Sequence, residues 1–374
     1  MTCFAFVIHP VEPQKDVARK FPLLGKLPPS VIDFGSRFFP PVRLAHVTGV
    51  RSEATGQEIE GWLLACPLTP KQMLQAPLST TYRKIVQTGH LAERLDARLL
   101  GLGAFTSVVG DAGITISNRL SIPVTTGHSF TVALTIEAVH EAANRMNIEL
   151  TDCSAAIVGA SGSLGKACSQ LLARNVPRLI LIGRHRDRLQ AVQQLVESVG
   201  AQAVVATDLT ALSKADLVVA VSSATAPIIK PEHLKRGAVV CDVARPPNVH
   251  PEVRRVRDDV LLIDGGVVAV PGEMNLGFDI GLPPGMVYGC MAETMILTLE
   301  GRYECFTLGK ELSLQRIDEI AQLARKHGFH LSNLYSLGKS LTPEMIEKVK
   351  EKAHQALHVR IRETDGYQLR PKEE

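Results

Sequence analysis

Residues 154–175, SAAIVGASGSLGKACSQLLARN, pass without a break from a short apolar run through a glycine-rich turn into a helical pattern. Gly159, Gly162 and Gly165 stand three residues apart. Glycines at this spacing let the backbone turn tightly and approach a pyrophosphate, whose charge then rests at the N-terminus of the following helix. A glycine pattern alone is weak evidence, but a strand before it and a helix after it make the reading dinucleotide binding rather than a bare turn. The cofactor positions expected here are Gly159, Ser161, Gly162, Ser163, Leu164 and Gly165, with Ser222 at the end of a later strand.

The next apolar run ends LILIGRHRDRL, which puts Arg184, His185, Arg186 and Arg188 where an acid would bind the ribose hydroxyls of NAD. Cationic side chains there suit a 2′-phosphate, so the expected cofactor is NADPH and its principal contacts are Arg184 and Arg188. The alternative is a solvated basic turn.

Working outward, six apolar runs alternate with amphipathic segments: SAAIVGA from Ser154, RLILIG from Arg178, AQAVVAT from Ala201, DLVVAVSS from Asp216, AVVCDVA from Ala238 and VLLIDGGVV from Val260. Continuous apolar strands of this kind are covered on both faces. The fold class expected is therefore α/β, a doubly wound parallel Rossmann-type sheet with an N-terminal α/β substrate domain and C-terminal helices. The domains are drawn at 1–150, 151–285 and 286–374, the last carrying a candidate nucleophile and packing back on the first. Helices are expected over 129–146, 286–300 and 311–327 and from Pro343, ending in a solvated tail.

Composition narrows the function. The 374 residues are 45% hydrophobic and 21% charged with a formal charge of +3, too small a surplus for a nucleic-acid surface. No run approaches the ~20 apolar residues of a membrane span, and MTCFAFVIHPVEPQ lacks a basic leader, so a cytoplasmic protein is expected. The seven cysteines include no CxxC and no zinc spacing, and there is no HExxH, so reduced thiols and no bound metal are expected.

Several catalytic signatures are missing. The YxxxK from Tyr335 to Lys339 lies beyond the last strand and reads as coincidence, and residues 1–150 carry no NVTxPxK-like segment of the shikimate dehydrogenase kind. The thiols remain. Cys168 faces the sheet and reads as core, and Cys3, Cys66, Cys153 and Cys305, in apolar or element-end settings, read as structural; Cys241, near the C-terminal end of the fifth strand, is the stronger rival. Cys290 differs because the Pro283-Pro284-Gly285 break places it in the first turn of a helix, where free backbone N–H groups favour a thiolate. On the residues alone, core packing remains open.

The segment MVYGCMAETMILTLEGRY at 286–303 with ARKHGF at 324–329 resembles the cyanobacterial long-chain acyl-ACP reductases, which form fatty aldehydes from acyl thioesters. LGAFTSVV from Leu102, TTGHSFT from Thr125, GASGSLG, the GR-x-x-x-RL turn and DGGVV from Asp264 follow in the family's order; the likeness is weakest over residues 1–45. The resemblance implies that Cys290 accepts the acyl group and that NADPH reduces it, the substrate being acyl carrier protein or acyl-CoA thioester and the aldehyde passing to a consuming enzyme. Within this reading Glu293 is a proton relay or a cap, and His128 a proton donor to the leaving thiol or a helix-terminal histidine bonded to its own loop. Ser129 and Thr126 are candidate oxyanion donors. Residues 100–146 with the 286–299 helix are the expected acyl tunnel, and Arg254, Arg255 and Arg257 or Arg83 and Lys84 a carrier-docking patch. The rival functions are a shikimate-type NADP-dependent dehydrogenase and a nonenzymatic NADP sensor.

Replacing Arg184 by alanine is expected to lower the preference for NADPH over NADH about tenfold or more, the worth of one charge-assisted contact. Fluorescence titration with both nucleotides reads it directly, and an unchanged ratio removes the assignment.

Overall fold

The computed structural model describes residues 3–365, and the expected solvated tail lies outside them apart from the last turns of the final helix. The N-terminal unit begins with strand β1 (Cys3–Ile8), helices α1 (Pro13–Lys20) and α2 (Pro29–Ser36), then β2 (Val42–Arg51) and β3 (Glu58–Ala65). Helices α3 (Pro70–Gln75) and α4 (Leu78–Arg94), β4 (Leu100–Leu102), the short α5 (Phe105–Val108) and α6 (Ile114–Ser117), β5 (Val124–Thr125) and α7 (His128–Arg145) complete it. Its sheet has the order β2-β3-β1-β4-β5, antiparallel only between β2 and β3.

The second sheet holds six strands, β6 (Ser154–Val158), β7 (Arg178–Ile182), β8 (Gln202–Ala206), β9 (Leu217–Ala220), β10 (Val239–Asp242) and β11 (Leu261–Asp264), as read from the sequence except that the run VLLIDGGVV breaks at Gly265-Gly266 and its end leaves this sheet. All pair in parallel, in the order β11-β10-β9-β6-β7-β8. This is the doubly wound order, and its direction reverses between β6 and β9, where such sheets bind ligands. Helices α8 (Ser163–Leu172), α9 (Arg186–Glu197) and α10 (Pro251–Val256) belong to this unit.

The chain then returns to the N-terminal unit. Strands β12 (Val267–Ala269) and β13 (Met286–Tyr288) pair antiparallel, and β13 feeds helix α11 (Gly289–Leu299). Residues 286–288, expected as helix, are thus strand; pairing with β12 buries Met286 and Val287 in separate clusters on its two faces and outweighs their helical propensity. Helix α11 is buried on nearly every side, with Met295, Ile296 and Leu297 packed on Phe4, Phe6 and Leu63. Each such side chain contributes about 1.5–3 kcal/mol of burial. Helix α12 (Leu314–His327), the hairpin β14 (Tyr335–Ser336) and β15 (Lys339–Ser340), and α13 (Pro343–Asp365) follow. Because Val268, Val270 and Val287 share a core with Phe4 and Phe6, the segment after β11 packs with the first unit from ahead of residue 285.

Helices α7 and α11 meet at their N-termini. Gly127 (φ +70°) precedes α7, and a Cβ there would lie 2.2 Å from Cys290 Cα; one on Gly289 would lie 3.1 Å from Thr131 Cα. Gly127→Ala therefore combines a left-handed φ with a backbone clash, and a loss of roughly 2 kcal/mol or more is expected. Urea unfolding checks it; an unchanged midpoint would show that the junction yields.

Candidate active site

At the reversal between β6 and β9, Gly159 and Ala160 donate backbone hydrogen bonds to Ile182 O at 2.8 and 3.1 Å, folding the turn over the end of β7. Gly159 has φ +92°, and a Cβ on it would lie 2.8 Å from Ser222 Cα; one on Gly165 would lie 2.2 Å from Gly159 O. Both glycines are therefore required by the close approach of α8 and β9 to the turn. Gly162 is the N-cap of α8, with no side chain filling the space before the helix, so the free amides of Ser163 and Leu164 are left to a phosphate. Ser222 N–H donates to Asn248 Oδ1 at 3.0 Å, which pins the facing loop. Arg184, His185, Arg186 and Arg188 are all exposed at the end of β7, and Gly183 lies beside Ser161. The donor set fits a 2′-phosphorylated dinucleotide. The domain binds NADP(H).

Cys290 occupies the second position of α11 and is half-buried. Its approach is set by Gly289 N–H, which donates to Gly266 O at 2.7 Å. Burial pushes the Cys290 thiol up to about 12 and Glu293 adds to the rise, while the backbone amides of Met291, Cys290 itself and Ala104 oppose it. Desolvation outweighs the helix terminus, so the resting group is a thiol. Ala104, at φ +48°, turns its amide toward that sulfur from the loop after β4.

Two buried histidines flank the same loop. Ser107 donates to Ala104 O at 2.6 Å and so accepts from His128 Nε2, 3.0 Å away. This network assigns the His128 proton to Nε2 and leaves Nδ1 a bare acceptor, buried and without a partner. His128 is bonded to the 104–108 loop rather than to its own. His9 is the converse: Phe105 N–H donates to its Nε2 at 3.0 Å, so its proton is on Nδ1, which is also unpartnered. Burial lowers both imidazoles to about 4, and both are neutral at pH 7. His9 carries no sequence motif; only the fold brings β1 beside residues 104–107.

Glu293 is fully buried and caps α7 rather than its own helix. Its Oε2 accepts from Phe130 N–H at 2.9 Å and its Oε1 from Thr125 Oγ1–H at 2.6 Å, while Thr307 N–H donates to Thr125 Oγ1 at 3.1 Å. Burial raises its carboxyl above the ordinary range against those donors. Ser129 Oγ accepts from Thr307 Oγ1–H at 2.8 Å, and Thr126 Oγ1 donates to Thr307 O at 3.1 Å, so both face the 307 segment. Cys241 and Cys168 are fully buried in the sheet core. Tyr335 and Lys339 lie on a hairpin whose turn reaches the site, Gly338 N–H donating to Asp264 Oδ2 at 2.7 Å.

One cavity of about 700 Å3 joins these parts. Leu164, Ser222, Arg245 and Asp264 line its dinucleotide side, Cys290, His128, His9 and Ala104 its middle, and Phe21, Leu24, Leu27, Val31, Phe39 and Leu44 its far apolar end. The expected tunnel is corrected here. Residues 103–105, 107 and 108, His128, Thr131 and Met291 contribute, but the apolar end is built by α1, α2 and their loops over β1 and β2, with Phe278 and Ile280. The sequence hides this because α1 and α2 are short and largely exposed and show no long apolar stripe. The expected docking patch is also mostly committed: Arg257 pairs with Asp259 and bonds Pro231 O and Leu234 O, Arg255 pairs with Glu252, and Lys84 donates to Phe39 O.

A model of the shikimate / quinate 5-dehydrogenase family matches residues 140–264, the dinucleotide domain alone. The chain is 34% identical over 313 residues to aminotransferase PigE of a Serratia species, covering 82% of this chain and 36% of that protein. It is 27% identical over 293 residues to the long-chain acyl-[acyl-carrier-protein] reductase of Synechococcus elongatus, covering 74% of this chain and 84% of that one. The chain thus spans about a third of one of these relatives and most of the other. Among solved structures, glutamyl-tRNA reductase from Methanopyrus kandleri aligns over 61% of this chain and 45% of its own at 16% identity and a TM-score of 0.29, a likeness too low to add to the topology above. The dehydrogenase family match and the reductase relative agree with the geometry on an oxidoreductase-type NADP(H)-binding domain.

The thiol's position gives a direct check. Iodoacetamide labelling of Cys290, read by peptide mass, should be slow at pH 7 and rise about tenfold per pH unit to beyond pH 9. A plateau near pH 7 would mean a preformed thiolate.

Proposed function

We propose that the protein reduces a long-chain acyl thioester to a fatty aldehyde with NADPH, through a thioester on Cys290. The observation that carries this reading is the single cavity with a dinucleotide turn on one side, a thiol at a helix N-terminus in the middle and a deep apolar end. A polyhydroxylated ring acid of the shikimate type would leave that end unfilled and its own hydroxyls unpaired. The Synechococcus elongatus relative is named for this reaction on acyl carrier protein.

The residues act as follows. Cys290 Sγ attacks the acyl carbon and its proton passes to His128, which lines the same cavity, across a gap that bound substrate must close. The new S–C bond forms, the carrier thiolate leaves, and His128 returns the proton to it. The amides of Ala104, Cys290 and Met291 lie around the sulfur, and in this reading they hold the developing oxyanion. His9 positions that loop through the Phe105 amide, and Glu293 positions the start of α7. When bound, NADPH supplies the hydride that reduces the acyl carbon; the S–C bond breaks, the aldehyde leaves and Cys290 takes up a proton. The apolar end excludes water from the thioester in the meantime.

Intact-mass analysis after mixing with a long-chain acyl-CoA or acyl-ACP tests it. Wild type should carry an acyl adduct that NADPH discharges to aldehyde, and Cys290→Ala should carry none. No adduct with or without cofactor returns Cys290 to the core and leaves a dehydrogenase or a sensor. His128→Ala is expected to slow acylation about 100-fold, within the range of general-base catalysis, while leaving NADPH affinity intact; normal acylation would remove its role. Comparing the two carriers decides acyl-ACP against acyl-CoA.

A further inference from the structure

The outward face of the segment that roofs the apolar end is itself apolar. Leu23 is 79% exposed, Phe34 63% and Phe38 74%, and none of the three lines the cavity; Leu24, Leu27, Val31 and Phe39 are less exposed and do line it. Phe34 and Phe38 pack edge to face at 5.5 Å, a pair standing in solvent. So dense a run of protruding large apolar side chains marks an interaction surface rather than ordinary surface composition.

Its charge is one-sided. Asp16 is turned inward to the amides of Val11 and Glu12 and to Arg19, and Asp33 accepts from Thr69 Oγ1 at 2.6 Å. Lys26 and Arg37 stand exposed beside Leu27 and Phe38. Helix α1 has no buried residue and α2 only Ile32, and the roof is moored by polar ties such as Lys20 to Leu44 O and Lys84 to Phe39 O.

We propose that this face, residues 21–39, seats the protein on an anionic lipid bilayer. Phe and Leu on a short segment rimmed by Lys and Arg are the composition of interfacial anchors, in which apolar area and attraction to anionic headgroups add. A protein partner is less favoured, because binding hot spots are enriched in Trp, Tyr and Arg and poor in Leu and Val, and this stretch has neither Trp nor Tyr. Among the described residues no helix is long and apolar enough to cross a membrane, so the contact is peripheral. Leu24, Leu27, Val31 and Phe39 also line the cavity, so the roof that meets the bilayer is the wall of the apolar end.

Co-sedimentation of the full chain with phosphatidylcholine vesicles and with mixed phosphatidylcholine–phosphatidylglycerol vesicles tests this without substrate or cofactor, so its outcome is independent of the proposed reaction. Wild type should pellet with the mixed vesicles and far less with phosphatidylcholine alone, and binding should weaken at about 0.5 M salt. Phe34→Ser/Phe38→Ser should lose at least about tenfold in partitioning with an unchanged melting temperature, since neither residue lines the cavity or the core. Lys26→Glu/Arg37→Glu should abolish only the anionic preference. No sedimentation with either vesicle overturns the proposal. So does a wild-type dimer that the double serine variant dissolves, or an acidic carrier protein that binds through Phe34 and Phe38 when vesicles do not.

Discussion

The approach of Gly127 to the backbone of Cys290 is the contact on which the site depends. With no Cβ at Gly127, the start of α7 closes on the start of α11, and Gly289 repeats the approach one turn away against Thr131. Glu293 then bonds Phe130 N–H, satisfying an α7 donor that Gly127 has no side chain to reach. Two helix N-termini are thereby pointed at one small volume. Everything reactive in that volume, the thiol, the imidazole of His128 and the Ala104 amide, is placed relative to this junction.

The junction also sets the electrostatics. Packing two helix starts together removes water, and desolvation exceeds what the local amides return, so Cys290 rests as a thiol and His128 as a neutral base. The two states are complementary. A neutral thiol and a neutral imidazole leave no uncompensated charge on either group in the closed junction. Glu293, below the sulfur, works against a thiolate and reinforces this resting state.

Much of this was legible in the chain. All six strands of the dinucleotide sheet, the glycine turn and the basic turn after the second strand are local, continuous patterns, and local patterns survive folding because each is satisfied within a few residues of itself. Cys290 was legible for the same reason, since the break at residues 283–285 and the apolar run after it already announce a helix start. The roof was not. Its helices bury almost nothing of their own, and their meaning lies in what they cover.

His9 shows the same limit from the other side. Nothing around it in sequence marks it, yet the parallel pairing of β1 with β4 carries it to the loop that holds Ala104 and Phe105. The sequence marks Glu293 as a cap or a relay, but the helix it caps is not its own. By itself the sequence determined the class of the fold, the glycine turn of the dinucleotide domain and the presence of a helix bearing the thiol, though not where that helix starts, because strand periodicity, glycine spacing and helix breaks are near-neighbour effects. Only the tertiary structure decided which imidazoles share the thiol's cavity, that burial keeps it protonated and that side chains between Phe6 and Leu44 wall the apolar end. Those depend on surfaces meeting across long stretches of chain, and desolvation exists only where they meet.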